Sequence, residues 1–195
     1  MTNALNSQSF KNLLSDQIAA SCLILGFVFY TIWDQLFWWG TREDYSFGYI
    51  VPLFAAYVVY DRWPIMRGYL FPGKEHGQVV YSAYDRGPLA LVLEWIAVCV
   101  FTASLLLFAT GALLRTATGP QNPASLAIAA SLGGLTLSAV FIFAKQRADG
   151  QLMPLKQRLA LTALFVFPAL IWMISAPLVS ILETNIRVFL LNKVT

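Results

Sequence analysis

The chain has 195 residues; 58% are hydrophobic and 14% aromatic, while Asp, Glu, Lys and Arg together supply only 12%. Ordinary soluble domains carry about 25% charged and about 45–50% apolar residues, and a chain this size still leaves close to a third of its unfolded surface exposed. The apolar surplus argues against a soluble enzyme, a nucleic-acid binder and a disordered tail, and the net charge of +3 reads as membrane orientation.

The first apolar run, Ile18 to Phe37, is long enough to cross a bilayer. No basic cluster precedes it and no small-x-small site follows, so it reads as a retained helix rather than a signal peptide. Asp34 falls near its outer end, just before Phe37, Trp38 and Trp39. A carboxylate at that depth is costly unless water reaches it, and interfacial hydration is the expectation; a role in an outward-facing pocket is the other reading.

The string Tyr45-Ser46-Phe47-Gly48-Tyr49-Ile50-Val51-Pro52 opens a second span, Phe47 to Tyr60. Ser and Gly suit a helix entry, and Pro52 falls in the first turn, where proline is tolerated. The run is short for a hydrocarbon core of about 30 Å, so Tyr45, Tyr57, Tyr60 and Trp63 are expected to extend it through both interfaces. From Asp61 to Gly87, Pro64, Gly68, Pro72, Gly73 and Gly77 argue against regular structure. That stretch reads as an inner-surface loop, with Tyr69, Leu70 and Phe71 dipping into the interface and holding the one histidine, His76.

The third span, Leu89 to Leu114, contains Glu94, which needs a partner, water or a proton. Arg62 and Arg86 are the candidates on the same membrane face. The fourth span, Ala124 to Ala144, has Ala130, Gly134 and Ser138 on one face, a close-packing signal. The fifth, Leu159 to Leu182, carries Pro168 and Pro177, each able to kink it, and residues 184–195 begin a sixth segment. Cys22 and Cys99 lie in apolar sequence without a local His or Arg, and are expected to be buried, inert hydrophobes. Their spacing indicates neither a disulfide nor a zinc site.

The expected fold is all-α: a multi-pass helical integral membrane protein, one domain of five transmembrane helices plus the start of a sixth. Lys11, Arg62, Arg67, Lys74, Arg86, Lys145, Arg147, Lys156 and Arg158 fall on one side of it, against Arg42, Arg115, Arg187 and Lys193 on the other. The positive-inside bias therefore predicts an inner (cell) membrane protein with a cytoplasmic amino terminus.

With Trp38-Trp39 before it and Tyr60-Asp61-Arg62-Trp63 after it, the Tyr45–Pro52 string resembles the amino-terminal region of the exosortase/archaeosortase family. These are multi-pass membrane proteins implicated in processing and sorting proteins with a carboxy-terminal anchor signal. Family members often have Tyr-Ser-His-Gly here; Phe47 replaces that histidine. Pro168, Ala176-Pro177-Leu178 and Leu182-Glu183 are similar to the family's segment ahead of its catalytic region. The resemblance covers most of the chain in order, through short apolar motifs.

The resemblance implies cysteine-protease or transpeptidase chemistry by a Cys, Arg and His set, with the Cys in an Ala-Cys-Ser-Gly-like motif. This chain has no such motif; Asn185-Ile186-Arg187-Val188 looks like the arginine motif but reads as an interfacial anchor. The expectation is the family's amino-terminal membrane portion, inactive alone, with no catalytic, cofactor or metal residues of its own. Asp34, Tyr45, Ser46 and Gly48 would form the outer lip of a substrate cleft. The partners implied are the lipid bilayer, a carboxy-terminal sorting-signal substrate or a second chain completing the fold, and not nucleic acid. The alternative is a non-enzymatic multi-pass subunit of an envelope export or polysaccharide assembly system. A transporter is disfavoured by the lack of internal repeats and paired helix breaks.

Overall fold

A computed structural model describes residues 15–71, 87–147, 152–176 and Phe189. Within them the protein is a helical bundle: α1 (Ser15–Thr41), a 3₁₀ helix (Glu43–Ile50), α2 (Val51–Leu70), α3 (Pro88–Thr118), α4 (Asn122–Phe143) and α5 (Leu155–Ser175). Four of these, α1, α3, α4 and α5, are long and apolar enough to cross a membrane. The helix corresponding to the expected second span, α2, is not among them, because Asp61, Arg62 and Arg67 interrupt its apolar run. The segment 184–195, Pro177, His76, Arg86 and Arg187 lie outside the described residues, apart from Phe189.

Three boundaries depart most from the sequence expectation. Residues 43–50 coil as the 3₁₀ helix, so α2 starts at Val51, with Pro52 in its first turn, and continues to Leu70 rather than ending at Tyr60. It passes straight through Pro64 and Gly68, where an irregular loop was expected. Packing outweighs local propensity here: Val59, Trp63, Met66, Tyr69 and Leu70 close on Met153, Leu161, Leu164 and Phe165 of the facing segment. Tyr69 and Leu70 thus lie on a helix, packed against this cluster, rather than in a loop. At the other end of α5, Ala176 is extended ahead of Pro177, and the helix stops at Ser175, short of the expected Leu182.

The most buried helix is α4, lying between α3, α5 and α1. In lipid no hydrophobic force separates helix from solvent, so close approach of small residues must hold the bundle. A Cβ on Gly134 would overlap Ser104 of α3, and one on Gly111 would crowd Ile128 and the Ala124 carbonyl. Gly133, on the next position round, faces the Ala169 carbonyl of α5. The α3–α4 turn is tight because Gly119 takes φ +80°, a conformation that favours glycine, and its N–H caps the Arg115 carbonyl.

Candidate functional site

Polar side chains gather at two levels of this apolar bundle. One level is built mainly from one face of α1, where Asp34, Gln35, Trp38 and Trp39 recur at helical spacing and all turn into the bundle. Asp34 is fully buried and not hydrated as the sequence suggested; its Oδ1 accepts from Arg115 Nε of α3 at 2.7 Å. The Arg115 guanidinium lies over the Trp33 ring, 5.0 Å from its centroid, and 6.0 Å from the centroid of Phe37. The aromatic faces and the carboxylate together let a guanidinium sit at this depth.

Gln35 ties α1 to α5. Its Oε1 accepts from the Ser175 hydroxyl at 2.5 Å and its Nε2 donates to the Trp172 carbonyl at 3.4 Å. Trp39 Nε1 donates to the Ser175 carbonyl at 3.2 Å, near the C-terminal end of α5, where carbonyls lack helical donors. Trp38 Nε1 donates to the Ser125 hydroxyl at 2.7 Å, in the first turn of α4.

Over this layer folds the 3₁₀ helix. Tyr45 is buried with Trp38, Trp39, Val51, Ala55, Leu132 and Trp172. Gly48 lies directly against the Trp39 indole, where any Cβ would overlap the ring. Tyr45 and Gly48 are therefore brought together around Trp39, whereas Asp34 is engaged separately with Arg115. Ser46 and Phe47 face outward on the rim. Gln35, Arg115, Ser125 and Ser175 were not singled out as site residues; the inward spacing of Asp34, Gln35, Trp38 and Trp39 was the available signal.

At the other level, Glu94 accepts from Arg158 Nη1 at 2.7 Å and from Lys145 Nζ at 3.2 Å. Arg158 is almost completely buried; it also donates Nε and Nη2 to the Phe141 carbonyl and stacks on the Phe141 ring. Of the two expected partners of Glu94, Arg86 lies outside the described residues and Arg62 does not serve. Arg62 instead donates to the carbonyl of Leu164 in α5. That carbonyl is the one left without a helical donor by Pro168, four residues on. Arg147 pairs with Gln157, and Gln17 reaches across from α1 to donate to the Gln146 carbonyl at 2.8 Å. Along α3, Glu94 and Arg115 are separated by about 31 Å at 1.5 Å per residue, close to the thickness of a hydrocarbon core.

Cys22 and Cys99 are free thiols exposed on the flanks of α1 and α3, rather than buried as expected, with no ionic partner among the described residues. An apolar flank gives a thiol nothing to ionise it. Among the described residues the level around Asp34 and Trp39 is thus internally bonded, and neither thiol takes part in it. No family model, curated protein or solved structure matches this chain.

Proposed function

We propose that these residues form the membrane scaffold of an exosortase-like sorting protease or transpeptidase and supply the outer rim of its substrate cleft, with the reactive Cys, Arg and His contributed by other sequence. The observation that carries this reading is the folding of the Tyr45–Ile50 string onto the Trp38–Trp39 pair, with Gly48 pressed against the indole and Ser46 and Phe47 left outward. That string is the one through which the chain resembles the family. In this reading α2 is a fifth crossing: it starts beneath the outer rim, ends in the inner apolar cluster, and its Arg62 finds a hydrogen-bond acceptor in the Leu164 carbonyl. The amino terminus is cytoplasmic, which leaves the Glu94–Arg158 layer on the basic, inner side.

A photoreactive residue at Ser46, in the chain reconstituted into bilayers, should capture a synthetic carboxy-terminal anchor-signal helix. The same residue at Leu106, on the outward flank of α3, should not. The chain alone should leave the peptide uncleaved, and cleavage abolished by Cys22→Ala or Cys99→Ala would contradict the assignment. The second reading is a non-enzymatic subunit of an envelope export or polysaccharide assembly system. It is favoured by the broad apolar flank of α3, where Leu91, Val98, Leu106 and Leu113 touch little of the bundle. Equal capture from Ser46 and Leu106 would shift the balance to it.

A further inference from the structure

Among the described residues, the other charged side chains that face into the apolar bundle are engaged: Asp34 by Arg115, Glu94 by Arg158 and Lys145, and Arg62 by the Leu164 carbonyl. Asp61 is not. It is exposed on α2, one residue before Arg62, and makes no ion pair or hydrogen bond among the described residues. Its depth follows from its neighbour. Arg62 reaches Leu164, which lies about 9 Å along α5 from Arg158 toward the membrane centre at 1.5 Å per residue. An aspartate side chain is too short to snorkel that distance, unlike lysine or arginine.

The surface around Asp61 is also unlike the rest of the lipid-facing exterior. Ile50, Leu53, Tyr57 and Tyr60, spaced three and four apart, form one stripe and are 64%, 73%, 62% and 78% exposed. Asp61 borders that stripe, one turn below Tyr57. Tyr57 and Tyr60 bring two phenol hydroxyls to mid-helix, whereas tyrosines facing lipid belong at the interfaces. The outward flank of α3, by contrast, is aliphatic at the same depth, with Val98, Leu105 and Leu106. One flank is suited to acyl chains; the other presents a carboxylate and two hydroxyls in a heptad-like row.

Resting on the reading of α2 as a crossing, we infer that the Tyr57–Tyr60–Asp61 face is the docking site of a second transmembrane helix carrying a lysine or arginine at the matching depth. The lone carboxylate selects the cation, since an isolated charge in hydrocarbon is costly and an opposite one relieves it. The stripe supplies the apolar seam, and the phenols add hydrogen bonds of the kind that hold helices together in lipid. A second copy of this chain is a poorer occupant, because a two-fold contact through this face brings one Asp61 toward the other.

The test uses the full chain with benzoylphenylalanine at Tyr57, reconstituted in phosphatidylethanolamine–phosphatidylglycerol vesicles. The probe is a leucine–alanine transmembrane helix bearing one lysine at the depth of Asp61, compared with the same helix bearing leucine there. Photoadduct yield should favour the lysine helix by about fivefold or more, the ratio expected from one interhelical polar contact. Asp61→Leu should bring the ratio to one, and a photoreactive residue at Leu106 should show no preference. A ratio of one in the unaltered chain, a preference that survives Asp61→Leu, or a chain–chain adduct dominating over the probe overturns the inference. Aqueous labelling separates the two claims. If Asp61→Cys reacts with an impermeant maleimide in sealed vesicles, α2 does not cross at that depth and both fall. If it is silent and the ratio is still one, only the docking site falls.

Discussion

Single residues carry more of this bundle than its apolar composition suggests. Asp34 is buried with its second oxygen unpartnered, so its pairing with Arg115 is the one contact that makes its position tolerable. Asp34→Leu strands the Arg115 cation and should destabilise the bundle by about 3 kcal/mol, whereas the double change Asp34→Leu with Arg115→Leu should recover most of that loss. Unfolding by graded dodecyl sulfate in mixed micelles measures both. Gly48→Ala should disturb the Trp39 stacking by about 1–3 kcal/mol and shift the tryptophan emission, because the new methyl has no room beside the indole. Asp34 was visible in the sequence as a charge in an apolar run. Its partner was not, because Arg115 follows 81 residues later and only the packing of α1 near α3 brings the two together.

Among the helices, α2 and α5 show how a proline can be absorbed. Pro168 removes the donor for the Leu164 carbonyl, and Arg62 of the neighbouring helix supplies a replacement. Arg62→Met should therefore cost about 1–2 kcal/mol in the unaltered chain, and markedly less in a Pro168→Ala background, where α5 restores its own bond. Additivity of the two changes would show that the arginine serves some other end. Local rules misread this region for a physical reason: Pro64 and Gly68 disfavour a helix, but Met66 and its neighbours bury against Leu161 and Phe165 and hold it. The small face of α4 was legible, since Gly134 has a packing reason independent of distant context. Gly134→Leu should separate α3 from α4, costing about 1–3 kcal/mol in the same titration.

For the molecule as a whole, composition was enough to indicate apolar helices, and four of them are long and apolar enough to cross a membrane. The two polar levels could not be read from the sequence, because each is assembled from three or more helices and exists only once the helices are in register. Their separation of about 31 Å along α3 is what a bilayer core demands. The crossing by α2 is the central claim, since the outer rim, the Asp61 face and the opposite orientations of Ser46 and Lys156 all depend on it. The most direct measurement is side-specific labelling of single cysteines, Ser46→Cys or Lys156→Cys, in a chain with Cys22→Ser and Cys99→Ser. With three crossings between them, an impermeant maleimide should reach Ser46→Cys only from outside the cell and Lys156→Cys only on inverted vesicles. Labelling of both from the same side would contradict the account.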